Sequence, residues 1–209
     1  MKKKLLITMA ALAAVILIFA FAASCASSGG SGGGQRRAGE GGLWTFDNPD
    51  NETEGWYLAT SEFYQHHSNA QLSRDDTTFG NGMLRLDVDY TKDSDSEWSE
   101  VKMANDFPKS IDMKNKDKFA FDFYYNPALR SGGSFKPKIW SNNGSKFINE
   151  AGFDIEGDEK MSNGFIKAYV EIYIVPGAGF IPDMRLGIAG YLTDYKGPVF
   201  FDNIAWVDK

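Results

Sequence analysis

The strongest constraint on this chain is a two-residue alternation of apolar and polar side chains that recurs between residues 83 and 207. "MLRLDVDY" (83–90) sets Leu84, Leu86, Val88 and Tyr90 against Arg85, Asp87 and Asp89. "KFAFDFYYN" (118–126) lines up Phe119, Phe121, Phe123 and Tyr125, and "FIKAYVEIYIV" (165–175) lines up Ile166, Ala168, Val170, Ile172 and Ile174. Side chains with period two point to opposite faces of a strand, and almost no segment shows the 3.6 period of a helix. "DMRLGIAGYL" (183–192) and "PVFFDNIAWV" (198–207) continue the series, with Gly, Asn, Asp and Pro clusters between the runs. Eight or more such strands without an internal repeat predict an all-β chain, a single β-sandwich of jelly-roll type.

The N-terminal part obeys different chemistry. Lys2, Lys3 and Lys4 precede an uncharged run from Leu5 to Ala23, followed by Ser24 and Cys25. A basic start, an apolar run and small residues before a cut describe an export signal, here residues 1–24. The run is also long enough to span a bilayer uncleaved. "FAASC" (21–25) resembles a bacterial lipobox, which implies that Cys25 is acylated and anchors the chain to a membrane. Either way the lysines stay inside, and the remainder is expected in the cell envelope, outside the cytoplasm and facing the surface. Residues 25–42 form a Gly/Ser-rich tether with the composition of a flexible coil. Residues 43–209 are left as the folded domain.

Cys25 is the only cysteine, so no disulfide forms within the chain. Without Lys2, Lys3 and Lys4 the formal net charge of −6 becomes −9. An acidic domain lacking a basic stripe is a poor match for nucleic acid or anionic lipid, and points to a neutral partner.

The polar faces of the strands hold the functional signal. In "EWSEVKMA" (97–104), Val101 and Met103 take one face while Trp98 shares the other with Glu100 and Lys102. In "SFKPKIWSNNG" (134–144), Trp140 falls with Lys136 and Lys138. Tyr124, Tyr169 and Tyr173 likewise fall among charges. Five rings on polar faces predict a wet aromatic binding face. Rings flanked by Glu, Lys and Asn suit a carbohydrate, whose C–H face stacks on the ring while its hydroxyls bond the rim. One stacked sugar that removes ~100 Å² of apolar surface from water gains about 2.5 kcal/mol.

"GSFKPKIWSNNG", "GFIKAYVEIYI" and above all "LGIAGYLTDYKGPVFFDNIAWV" (186–207) resemble the mannan-binding carbohydrate-binding modules appended to bacterial β-mannanases. "WTFDNPDNETEGW" (44–56) resembles the first strand and loop of jelly-roll binding modules. The resemblance implies a non-catalytic β-sandwich that binds β-1,4-linked mannose chains, with Trp98 and Trp140 as platforms. Tyr64, in "SEFYQHH" (61–67), stands as the candidate for a third ring, with Glu100, Lys138 and Arg185 as hydroxyl partners. The resemblance also implies a structural calcium between the first and last strands, at Asp47 and Asp202. A hard cation of this kind takes carboxylate and carbonyl oxygens. No mannanase domain accompanies the module, so a separate glycanase or transporter is the expected user of a captured chain.

Other constellations carry less. Trp56 alternates with Leu58 and reads as core or sheet-edge packing, and Trp206 reads as core, sharing a face with Ile204 and Phe200. His66 and His67 would point to opposite faces of a strand and make no joint metal site. "DSDSEW" (93–98) lacks the sixth-position glycine and twelfth-position glutamate of a calcium loop. The competing enzymatic reading is a jelly-roll glycoside hydrolase or lyase, in which Glu100 and Glu171 would face each other across a groove.

Overall fold

The computed structural model describes residues 43–62, 69–91, 98–142, 147–152, 159–173 and 179–208. Its strands begin with β1 (Leu43–Trp44), β2 (Tyr57–Leu58), β3 (Gln71–Asp75), β4 (Met83–Asp89), β5 (Ser99–Asp112) and β6 (Lys116–Tyr125). They continue with β7 (Ser134–Asn142), β8 (Phe147–Gly152), β9 (Glu159–Lys160), β10 (Ile166–Tyr173), β11 (Phe180–Tyr191) and β12 (Lys196–Asp208). The helical content among the described residues is two 3-10 turns, Thr60–Glu62 and Pro127–Leu129. No helix among them is long and apolar enough to cross a membrane.

Every pairing among the described residues is antiparallel. The seven-stranded sheet runs β3-β4-β12-β6-β10-β9, with β1 also paired to β12; the five-stranded sheet runs β2-β5-β11-β7-β8. The alternation read from the sequence explains why two sheets pack. Leu84, Leu86, Val88, Phe119, Phe121 and Phe123 turn inward from one sheet. Val101, Met103, Ile139, Leu186 and Ile188 meet them from the other. Each such side chain contributes about 1.5–3 kcal/mol on full burial. Tyr90 ties the layers together at the end of β4, donating its hydroxyl to the Ile188 carbonyl at 2.9 Å.

One segment departs from simple alternation. Val199 and Phe201 face the core, but so do Ile204 and Trp206, an odd pair followed by an even pair. The register of β12 against β6 breaks between Asp202 and Ala205. Asn203 sits there at φ 51°, a left-handed conformation that asparagine tolerates. This bulge inserts a residue and exchanges the two faces of the strand. Trp206 is core as expected, but Phe200 lies on the opposite, outer side. It joins Met83, Tyr124 and Phe165 in a small satellite cluster with Phe79 and Met161 packed against it.

Candidate functional site

The outer face of the five-stranded sheet is built on β11, whose outward positions include Arg185, Gly187 and Ala189. Its flanking strands put Lys102 and Lys138 on either side of Gly187, and Glu100 and Lys136 on either side of Ala189. Ala104 and Trp140 flank Arg185 in the same way. The centre of this face therefore carries no long side chain, and Gly187 and Ala189 lie buried between charged walls. It stays so at Gly187, since an added Cβ would meet the Val101 carbonyl oxygen at 2.0 Å.

Glu100 organises the walls. Trp98 Nε1–H donates to its Oε1 at 2.9 Å. Lys138 Nζ donates to the same oxygen at 3.2 Å, and Lys102 Nζ lies 3.1 Å from Oε2. Burial alone would raise the Glu100 carboxyl. The hydrogen bond and charge of Lys102, the charge of Lys138 and the Trp98 N–H outweigh it and hold the group below the usual carboxylate value. The ammonium groups also cover the rings. Lys138 Nζ is 4.6 Å from the centroid of Trp98 and 5.1 Å from that of Trp140, and Lys102 Nζ is 4.7 Å from Trp140. These are cation–π distances. At the far end, Arg185 pairs with Asp183 at 3.0 Å and approaches Asp106 at 3.6 Å. Asp106 in turn accepts the hydroxyl of Tyr57 at 2.8 Å.

Several expectations need correction here. The five polar-face rings do not share a surface: Trp98 and Trp140 lie on the five-stranded sheet, whereas Tyr124 on β6 and Tyr169 and Tyr173 on β10 belong to the other sheet. Alternation distinguishes outside from inside but does not say which sheet's outside. Tyr124 is not wet at all, being 4 % exposed in the satellite cluster. Nor is Trp140 wet. It is 8 % exposed, with Glu100 and Lys138 buried beside it, because the cross-strand ion network closes over the ring. Trp98 remains partly open. Tyr57 was missed by the sequence reading; it is 44 % exposed and joins this face through the pairing of β2 with β5, a short contact with no local signature. Tyr64, His66, His67 and Cys25 lie outside the described residues.

Asp202 and Asp47 come together near the bulge, since β1 pairs with β12 immediately before the loop carrying Asp47. Asp202 is buried, and burial together with the nearby carboxylates of Asp122 and Asp47 pushes it up to about 7, against a lowering bond from the Asn203 N–H. The Asn203 amide bridges Asp122 at 2.8 Å and Asp202 at 3.1 Å, and Lys167 lies 3.2 Å from Asp122. Among the described residues no three His, Cys, Asp or Glu side chains are grouped tightly enough to hold a metal by themselves. Burial of Asp202 beside the charges of Asp122 and Asp47 is the strain that a cation at this position would relieve.

The profile of carbohydrate binding module 27 matches residues 46–209. The chain belongs to this family. Among solved structures, this family 27 module resembles a carbohydrate-binding module dissected for specific mannan recognition, with a TM-score of 0.60 and 22% identity over 80% of this chain and 96% of that one. It resembles equally the first family 27 module of Caldicellulosiruptor saccharolyticus, solved with mannohexaose, at TM-score 0.60 and 20% identity over 78% and 93% of the two chains. A family 28 module specific for non-crystalline cellulose matches with a TM-score of 0.62 at 19% identity, over 79% and 94%. At these identities the likeness establishes the sandwich fold. No curated protein matches the sequence. Modules of this kind bind carbohydrate and do not cleave it, and the placement of the acids agrees. Glu100 and Glu171 stand on different sheets, both outward, so they cannot flank one glycosidic bond at the roughly 5–9.5 Å that hydrolysis requires.

Proposed function

We propose that this module binds β-1,4-linked mannan or glucomannan along the outer face of the five-stranded sheet, without cleaving it. The observation that carries the reading is the Trp98–Glu100–Lys138–Lys102–Trp140 cluster beside the small-residue strip at Gly187 and Ala189. An arriving sugar takes the place of an ammonium on a tryptophan face, and the displaced lysine turns its donors to the hydroxyls. Glu100, already ionised, accepts from the same hydroxyls, while Arg185 and Tyr57 extend the face. The mannan ligands of two structurally similar modules support the choice of sugar.

Affinity electrophoresis on a panel of soluble polysaccharides tests this directly. Retardation is expected in mannan and glucomannan gels, with no new reducing ends after prolonged incubation. Equal retardation by xylan and mixed-linkage glucan, or release of reducing ends, would overturn it.

Location follows from the same proposal. Acylated at Cys25, the module is held at the cell envelope by residues 26–42, where it captures chains for a companion glycanase or transporter. Cys25→Ala is expected to release the domain from membranes or leave a heavier unprocessed precursor. A mutant that fractionates with membranes at unchanged mass rules out the lipid anchor. A calcium ion at Asp202 and Asp47 completes the proposal as a structural tie between the first and last strands.

A further inference from the structure

The seven-stranded sheet carries on its outer face a second arrangement built like the first. On the five-stranded sheet, an aromatic N–H donates to the glutamate two residues on, a lysine from another strand pairs with that glutamate, and the same lysine covers aromatic rings. On β10, Tyr169 donates its hydroxyl to Glu171 at 2.9 Å, again two residues on. Lys118 of the adjacent β6 pairs with Glu171 at 3.1 Å and sits 5.1 Å from the centroid of Tyr173. The floor is small here too, because Glu171 pairs with Ala120 and Ala120 with Ala205.

The decisive difference is access. Tyr169 is 41 % and Tyr173 68 % exposed, whereas Trp140 is 8 % exposed. The two tyrosines stand on one side of one strand, four residues or about 13 Å apart. β9 pairs with β10 only at Ile166 and Lys167, so among the described residues no strand borders Tyr169 or Tyr173 on that edge. The charges between the rings are opposite in sign and balance each other, which favours a neutral ligand over an ionic one.

We propose that Tyr169, Glu171, Tyr173 and Lys118 form a second glycan site, on the opposite face of the sandwich from Trp98 and Trp140. Its ligand class, a neutral β-1,4-linked glycan, rests on the function proposed above. The tyrosines stack against the sugar faces, and the Glu171–Lys118 pair bonds the hydroxyls. With two sites facing away from each other, one module holds two polysaccharide chains, and on a long glycan the second contact is local and multiplies the retention.

Calorimetric titration of the full-length protein with mannohexaose distinguishes the possibilities. The parent is expected to bind two ligands per chain. Tyr169→Ala/Tyr173→Ala is expected to bind one, with the tighter phase unaltered, and Trp98→Ala to keep the weaker phase. Tyr173→Phe, which preserves the ring, is expected to retain the second site, with Tyr173→Ala weakening it roughly tenfold or more. One ligand per chain in the parent, unchanged in the tyrosine variants, would refute the second site while leaving the first intact. Loss of self-association in the tyrosine variants, measured by sedimentation with sugar binding unchanged, would also refute it, assigning the face to a second copy of this chain. A failure of the first reading looks different: the tryptophan variants would then bind as the parent does.

Discussion

Trp98→Ala lowers the affinity for soluble β-mannan by about 30- to 150-fold, which corresponds to about 2–3 kcal/mol. The magnitude comes from a sugar face covering ~100 Å² of ring, together with the Nε1–H that keeps Glu100 aligned. Because Trp98 sits at the start of β5 and is partly open, the melting temperature should move little. Trp140→Ala should also weaken binding, but with a stability loss, since this ring is buried under Lys102 and Lys138. Isothermal titration and thermal melts on the same preparations separate the two effects. Two variants that bind mannan like the parent would show that the face is wrong. Lys138→Met supplies an internal control, because it removes an ammonium from both rings and a hydroxyl donor while keeping the apolar stem.

Chelation of calcium should make the stability of the domain strongly dependent on pH between about 4 and 7. Asp202 is the cause. In the folded chain its carboxyl is raised from 3.8 to about 7, so between those values the folded state holds a proton that the unfolded state has lost. The contribution of this group is then fully present below about pH 4 and is lost as pH rises through 7. The shift corresponds to about 4 kcal/mol, or roughly 10 °C in melting temperature for a domain of this size. A calcium ion on Asp202 and Asp47 reverses the sign of the problem, because it favours the ionised form. At 100 times its dissociation constant it adds about 2.7 kcal/mol at neutral pH. The calcium-induced rise should vanish below pH 4 and in Asp202→Asn. The same variant, chelated, should lose this fall in stability between pH 4 and 7. Melting curves unaffected by chelator at pH 7.5 would argue against the ion.

The layers of this fold were readable because period-two alternation is a direct consequence of strand geometry, and Leu84 to Tyr90 or Ile166 to Ile172 obey it without exception. Four things were not readable. Asn203 looks like any polar strand residue, yet its left-handed backbone exchanges the faces of β12, so Phe200 went to the wrong side. The split of the five rings depended on which strands pair, a long-range property absent from any one segment. Burial of Trp140, Glu100 and Lys138 arose from charges on β5 and β7 pairing with one another across β11. In sequence each charge argues for water; only together do they exclude it. Tyr57 was hidden for the same reason, since Asp106, its hydrogen-bond partner, lies 49 positions away.

The position of β12 constrains when the molecule can exist. This strand is synthesised after every other strand of its sheet, yet it lies between β4 and β6 and also receives β1. Until residues 196–208 emerge, the phenylalanines of β6 have no neighbour on one side, and the β3–β4 hairpin has nothing to dock against. Closing loops of this length is slow, and the waiting chain exposes unpaired edges. The nascent seven-stranded sheet therefore cannot be completed until β12 has emerged. An export channel that accepts only unfolded chains would find it in the required state up to that point, and a stop codon at residue 196 would leave a chain with no way to complete this sheet.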